Sequence, residues 1–98
     1  MSRDTVLATL RRHSAEIRAY GATSLYLFGS AVRDEITEDS DVDIFVDYER
    51  DGSFTFVEWL RLEDYLKTML NRDVDLATRD GLHPRLREGI ERSSVRVF

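Results

Sequence analysis

The sequence predicts an α/β (α+β) fold, in which about four helices pack on a small mixed sheet of three to four strands. Residues 1–98 are expected to form a single domain. Two observations predict it. Short apolar runs that suit strands occur at 24–28, 42–48 and 73–77, and residues 95–98 suit a fourth strand or a docked tail. Between these runs, apolar residues recur three or four positions apart, as on one face of a helix. Strands that alternate with helices are typical of a sheet covered by helices.

Length, composition and charge limit the class of protein. A chain of 98 residues, 42% of them hydrophobic, can bury one core. No apolar run approaches the roughly 20 residues that span a bilayer, and the first residues lack a secretion signal, so we expect no membrane association. The absence of cysteine fits a cytoplasmic protein. A net charge of −5 argues against direct nucleic-acid binding, which needs a basic surface.

The N-terminal segment is predicted to form one helix. Its apolar stripe consists of Val6, Leu10, Ile17 and Tyr20. Gly21 is expected to end this helix as a left-handed cap. After the first strand, residues 31–36 are expected to form one or two helical turns.

The C-terminal half is predicted to contain two longer helices. Thr55 and Glu58 have the spacing of a capping box, which opens a helix that ends near Asn71. Pro84 suits the first turn of the last helix. On that helix Leu86 and Ile90 are expected to face the core.

An acidic segment follows the first strand. Nine acidic residues and one basic residue lie between residues 34 and 51, and most of these acids are expected to form a solvated loop. Asp41 and Asp43 differ because they open the apolar run 42–48, in which side chains two apart share a face. Two carboxylates this close repel each other, and a divalent cation such as Mg²⁺ would relieve the repulsion. Alone, an Asp-x-Asp pair is weak evidence for a metal site.

A Gly29-Ser30 turn comes directly after the first strand. Glycine lets the backbone approach a phosphate closely, and the serine hydroxyl and the amides that follow can donate hydrogen bonds to phosphate oxygens. The same pair is common in ordinary strand-to-helix turns, in which Ser30 would be the N-cap. The turn alone leaves both interpretations open.

A later strand carries a further aspartate. Asp75 stands between two apolar residues, so we expect it to be buried and to need a partner, because burying an unpaired carboxylate is costly. If this strand lies beside strand 42–48, Asp75 completes a trio of carboxylates. Asp73 shares its face but stands at the start of the strand, where we expect surface pairing or capping.

Together these motifs resemble the signature of the DNA polymerase beta nucleotidyltransferase superfamily. The run LFGSAVR at 27–33, followed by SDVDI at 40–44, is similar to the minimal nucleotidyltransferase (MNT) family. Residues 74–84 and 90–97 are similar to the ending of that family, so the resemblance covers nearly the whole chain. One departure is visible: the family commonly has glycine after the arginine, and here Asp34 takes that place.

The resemblance implies a palm-like nucleotidyltransferase fold and a role for each matching position. It implies that the turn Gly29-Ser30 binds the triphosphate of ATP. It also implies that Asp41 and Asp43 coordinate two Mg²⁺ ions, while Asp75 holds the catalytic ion and helps remove a proton from the attacking hydroxyl. Arg33 can contact phosphate, and a salt bridge to the acidic segment is an equal alternative.

The resemblance also implies a partner. MNT proteins are typically encoded beside a HEPN-domain toxin, and characterised members transfer AMP from ATP to a tyrosine of that toxin. It therefore implies a protein adenylyltransferase that is the antitoxin of a type VII-like toxin–antitoxin pair and forms a hetero-oligomer with the toxin. Two alternatives stay open: an antitoxin that neutralises its partner by binding alone, and a nucleotidyltransferase that acts on a small molecule or an RNA end.

Overall fold

Four strands form one mixed sheet in the computed structural model, which describes residues 2–33, 37 and 40–98. The strands are β1 (Ala22–Phe28), β2 (Val42–Tyr48), β3 (Val74–Thr78) and β4 (Val95–Arg96). Their order across the sheet is β3-β2-β1-β4. β2 runs parallel to β3, whereas β1 is antiparallel to both β2 and β4. The predicted mixed sheet is confirmed.

Four α-helices accompany the sheet among the described residues. They are α1 (Arg3–Arg12), α2 (Ser14–Ala19), α3 (Phe56–Leu70) and α4 (Pro84–Ser93). Two short 3₁₀ turns follow β1 and β3, at Gly29–Ala31 and Arg79–Gly81. In the described ranges, no helix is long and apolar enough to cross a membrane.

One face of the sheet carries the core. Val42, Ile44 and Val46 alternate along β2 and are fully buried, as are Leu25 and Leu27 of β1. Helices α1, α2 and α3 cover this face with Val6, Leu10, Ile17, Leu62, Leu66 and Leu70. Each such side chain stabilises the fold by about 1.5–3 kcal/mol when it is fully buried. The alternate residues of β2 and β3 lie on the opposite face of the sheet.

The N-terminal segment forms two helices, so the prediction of one continuous helix is wrong. His13 ends α1 and precedes α2, with backbone angles of φ −106° and ψ 17° that lie outside the helical region. Its ring Nδ1 lies 2.9 Å from the carbonyl oxygen of Thr9. Leu10 and Ile17 are nevertheless both buried, because the apolar stripe continues across the break.

Helix α3 begins and ends where the sequence predicts. The Thr55 side chain accepts a hydrogen bond from the backbone of the first turn, and the Glu58 side chain accepts one from the Thr55 backbone amide. This reciprocal pair is the predicted capping box. Asn71 ends the helix in the left-handed conformation, at φ 53°.

Helix α4 differs from the prediction. Pro84 is its first residue, as expected. Leu86, however, is 60% exposed, and no residue of α4 is buried. The expectation that Leu86 and Ile90 face the core is therefore wrong, because α4 does not pack on the core face of the sheet.

Candidate active site

The first part of the site is the turn that follows β1. It is a single 3₁₀ turn, Gly29–Ala31, in which Gly29 has φ +72° and Ala31 is fully buried. Phe28, in extended conformation, occupies the N-cap position, and no side chain caps the turn. Ser30 is therefore not the N-cap that an ordinary strand-to-helix turn would have. It lies half-buried in the middle of the turn.

Gly29 lies directly against a carboxylate of the next strand. Phe28 is paired with Asp43 in the antiparallel register of β1 and β2, so the turn comes next to the start of β2. A Cβ atom on Gly29 would lie 2.2 Å from Oδ2 of Asp43, far inside van der Waals contact. Position 29 therefore requires glycine for two reasons, its positive φ and the space that the carboxylate occupies.

The structure brings the three predicted aspartates near one another at the start of β2 and β3. Asp41 directly precedes β2, and Asp43 is half-buried within it. In the parallel register of β2 and β3, Asp75 is the partner of Asp43. Asp75 is exposed, which corrects the expectation that it is buried. The reason is the face of the strand: Val74 and Leu76 are buried in the core, whereas Asp75 between them lies on the opposite face of the sheet.

The carboxylates act on one another electrostatically. Burial raises the pKa of Asp43, and the negative charges of Asp75 and Asp41 raise it further. Arg33 opposes this effect and lowers the pKa of the same carboxyl. Like charges that converge on a half-buried carboxylate destabilise its ionised form, so a bound cation would relieve the strain.

The side chains are not arranged as a finished metal site. Within residues 2–33, 37 and 40–98, no three histidine, aspartate or glutamate side chains are grouped so as to hold an ion. The donor set nevertheless suits Mg²⁺, because Asp41, Asp43 and Asp75 supply oxygen ligands from two neighbouring strands. Their role as metal ligands stays a prediction.

A cleft separates the turn from helix α4, and we call it the α4 cleft. Its walls are Phe28, Gly29 and Arg33 on one side and residues of α4 on the other, including Arg85, Leu86, Gly89 and Ile90. Its volume is about 310 Å³. Arg33 is exposed at this cleft, and its predicted contact with phosphate stays a prediction.

Two aromatic rings and an arginine that no sequence pattern indicates support the site from beneath. Phe45 is fully buried on the same face as Asp43 and stacks on Tyr26, with ring centroids 4.7 Å apart. Arg79 lies over both rings, at 4.8 Å from the Tyr26 centroid and 5.1 Å from that of Phe45.

Arg79 also joins two acidic residues from different elements. Its Nε lies 2.8 Å from Asp47 of β2, and its Nη1 lies 2.5 Å from Glu91 of α4. These contacts raise the pKa of the guanidinium, which stays charged. Nothing in the sequence distinguishes Arg79 from the other arginines of the chain.

Known proteins share both the sequence pattern and the fold. Residues 10–97 match the nucleotidyltransferase domain family. A predicted protein adenylyltransferase of Methanocaldococcus jannaschii is 38% identical over 90 residues, which are 90% of each chain. The protein adenylyltransferase MntA of Thermococcus cleftensis is 36% identical over 95 residues, covering 96% of this chain and 94% of its own.

Solved structures agree with these relatives. A predicted minimal nucleotidyltransferase superimposes with a TM-score of 0.84 and 34% identity, over 97% of this chain and 95% of that chain. A chain in the complex of a tri-AMPylated HEPN toxin of Shewanella oneidensis with an MNT antitoxin gives a TM-score of 0.67 at 19% identity, over 94% of this chain and 71% of that chain. At this lower identity the likeness concerns the fold alone. Since the family match spans most of the chain, the protein belongs to the nucleotidyltransferase domain family and, within it, to the minimal nucleotidyltransferases.

Proposed function

We propose that this protein transfers AMP from ATP to a tyrosine hydroxyl of a partner HEPN-domain toxin, and so acts as the antitoxin of a type VII-like pair. The observation that carries the proposal is the contact between Gly29 and Asp43, which joins a phosphate-binding type of turn to a set of carboxylates. The names of the relatives support protein adenylylation, and the fold shared with a toxin–antitoxin complex supports the choice of partner. The cysteine-free chain and the ATP donor suit the cytoplasm.

The proposed donor site uses the turn after β1. The backbone amides of Gly29-Ser30 and the hydroxyl of Ser30 donate hydrogen bonds to the phosphate oxygens of ATP. Arg33 adds a positive charge at the α4 cleft. Asp41 and Asp43 would hold two Mg²⁺ ions with Asp75. When bound, such ions stabilise the charge on the attacking and leaving oxygens of an in-line displacement.

The proposed reaction is a single displacement at the α-phosphorus. The tyrosine oxygen forms a bond to this phosphorus. The bond between the α-phosphorus and the oxygen that bridges it to the β-phosphate breaks, so that pyrophosphate leaves. The phenolic proton passes to the carboxylate of Asp75, which is exposed at the edge strand and accessible to an incoming side chain. A phenol, with a pKa of about 10, loses this proton more readily than an alcohol does.

The direct test is transfer of label to the partner. Incubation with Mg²⁺, ATP labelled at the α-phosphate and the HEPN protein of the adjacent reading frame is expected to label a tyrosine, identified by mass spectrometry. The double variant Asp41→Asn, Asp43→Asn is expected to lose at least about a hundredfold in rate. Asp64→Asn, an exposed aspartate on α3, is the matched control and should retain full activity. Undiminished labelling by the double variant would overturn the metal assignment.

A second measurement separates catalysis from neutralisation by binding alone. The double variant is expected to bind the HEPN protein in a pull-down and yet fail to rescue growth of cells that express it. Rescue by this variant at the wild-type level would favour an antitoxin that acts by occlusion.

A further inference from the structure

Helix α4 has an apolar stripe that the core does not use. Leu86 and Ile90 are one helical turn apart, and both line the α4 cleft. Since no residue of α4 is buried, hydrophobic burial does not explain why the helix lies where it does. Its apolar face and the Gly29 turn instead enclose a space of about 310 Å³ next to the proposed donor site.

Of the basic residues on α4, one lines the cleft without an ion-pair partner among the described residues. Glu91 is paired with Arg79 and Arg87, and Glu88 is paired with Arg92. The side chain of Arg85 lines the cleft and has no ion-pair partner among the described residues. In a chain with a net charge of −5, this places an uncompensated guanidinium beside the Gly29 turn.

Local structure adds to the positive character of this wall. Arg85 is the second residue of α4, where the helix dipole is positive. His83 Nδ1 accepts a hydrogen bond from the Arg85 backbone amide at 3.2 Å, which holds the start of the helix in place. Arg33 approaches from the other wall of the cleft. An anion in the cleft would therefore contact guanidinium groups from two directions.

We infer that Arg85, on the α4 side of the cleft, is a further binding residue for the β- and γ-phosphates of the donor that the Gly29 turn holds. The inference rests on the proposed function, because it assigns a subsite to the same donor. A planar guanidinium forms paired hydrogen bonds to phosphate oxygens, and a phosphate chain that starts at Gly29 enters the cleft directly. Leu86 and Ile90 form the apolar part of the same wall of the cleft.

The first test measures binding without turnover. Isothermal titration of Arg85→Gln with tripolyphosphate and with ATP, in the presence of Mg²⁺, is expected to show affinities roughly tenfold lower than those of the wild type. Binding of AMP, which lacks the β- and γ-phosphates, should be unchanged. Arg92→Gln removes a positive charge from the exposed side of the same helix and should bind all three ligands as the wild type does.

The second test fills the cleft. A Cβ on Gly89 meets no atom within 4 Å, so Gly89→Ala fits without strain and should leave tripolyphosphate binding intact. Gly89→Phe projects a ring into the cleft from the same position and is expected to weaken binding at least tenfold, because the ring takes the place of the phosphates. Circular dichroism checks that both variants keep their helices.

The outcomes distinguish this inference from the proposed function. The inference is overturned if the Arg85→Gln variant binds tripolyphosphate as tightly as the wild type does. It is also overturned if the substitution weakens the binding of AMP and of tripolyphosphate equally. A wild-type protein that does not bind tripolyphosphate also overturns it. If tripolyphosphate binding follows the expected pattern but no label reaches the HEPN protein, the subsite stands and the proposed acceptor is wrong.

Discussion

At position 29 the backbone occupies a place where any other residue would put a carbon atom onto a carboxylate oxygen. Gly29→Ala is therefore expected to destabilise the fold by more than the about 1–2 kcal/mol that a left-handed conformation costs alanine. It should also lower transferase activity, because Asp43 must move. Denaturant unfolding and the label-transfer assay measure the two effects.

A second glycine provides the control for this prediction. Gly52 also has a positive φ, +88°, but a Cβ there meets nothing within 4 Å. Gly52→Ala should therefore show the backbone cost alone and keep its activity. Equal losses of stability in the two variants would contradict the contact with Asp43.

The carboxyl of Asp43 is expected to reduce stability at neutral pH. Because its pKa in the folded protein is raised above the ordinary value of 3.8, the folded state binds the proton more tightly than the unfolded chain does. The stability that the protonated form provides is present below pH 3.8 and is lost as the pH rises through the raised pKa. Asp43→Asn should therefore unfold at higher denaturant concentration than the wild type at pH 7 in EDTA, while losing activity.

Asp80 gives the opposite pH dependence and serves as the comparison. Hydrogen bonds from Thr78 and Tyr48 lower its pKa to about 2. The stability it provides is present above pH 3.8 and is lost as the pH falls towards 2. Asp80→Asn should thus be less stable than the wild type at pH 7. If Asp43→Asn also proves less stable there, the proposed repulsion among carboxylates is wrong.

At the scale of single elements, the sequence predicts those whose own residues carry the signal. The residues of β2 alternate in polarity, and α3 has both a capping box and a left-handed Asn71, so their predicted positions agree with the structure. The break at His13 has no such signal, since neither proline nor glycine marks it. The prediction for Leu86 is wrong for another reason: the helical period is correct, but the period does not tell which surface the helix packs against.

Helix α4 is held to the sheet by charge more than by apolar burial. Replacing Arg79 by glutamine leaves Asp47 and Glu91 without their shared partner. Losing a charged hydrogen bond of about 1.5 kcal/mol corresponds to roughly tenfold faster amide exchange. Hydrogen–deuterium exchange should show this increase in α4 and little change in α3.

Arg92→Gln is the control for this prediction. It removes an ion pair with Glu88 whose side chains are 74% and 87% exposed, and such pairs contribute little. Its exchange rates in α4 should stay within about twofold of the wild type. Similar rates in Arg79→Gln and Arg92→Gln would refute the anchoring role of Arg79.

At the scale of the whole molecule, stability depends on a single core between the sheet and helices α1, α2 and α3. Leu27 is fully buried in β1, an inner strand of the sheet, so Leu27→Ala should reduce the free energy of unfolding by about 3 kcal/mol. Leu60→Ala, at a leucine of α3 that is 43% exposed, should cost under about 0.5 kcal/mol. Urea unfolding with a constant m-value measures both, and equal costs would contradict this location of the core.

The sequence proposes which residues form the candidate site but not how they are arranged in space. The spacing of Asp41 and Asp43 already places them on one face of a strand, and the structure brings Asp75 next to them. Asp75 is exposed because it lies on the face of β3 opposite the core, and the local pattern does not tell how well that face is covered. The arginines of the α4 cleft likewise come together only through the packing of α4.

From the strand order we expect the parts of the site to assemble in a particular order during folding. Gly29 and Asp43 are fourteen positions apart and meet through the adjacent strands β1 and β2, so their contact closes a short loop. Asp75 reaches Asp43 only after the crossover through α3, which closes a longer loop and is entropically costlier. Local pairings tend to form first. We therefore expect the repulsion between Asp43 and Asp75 to arise only in the step in which the apolar residues of β3 join the core and offset it.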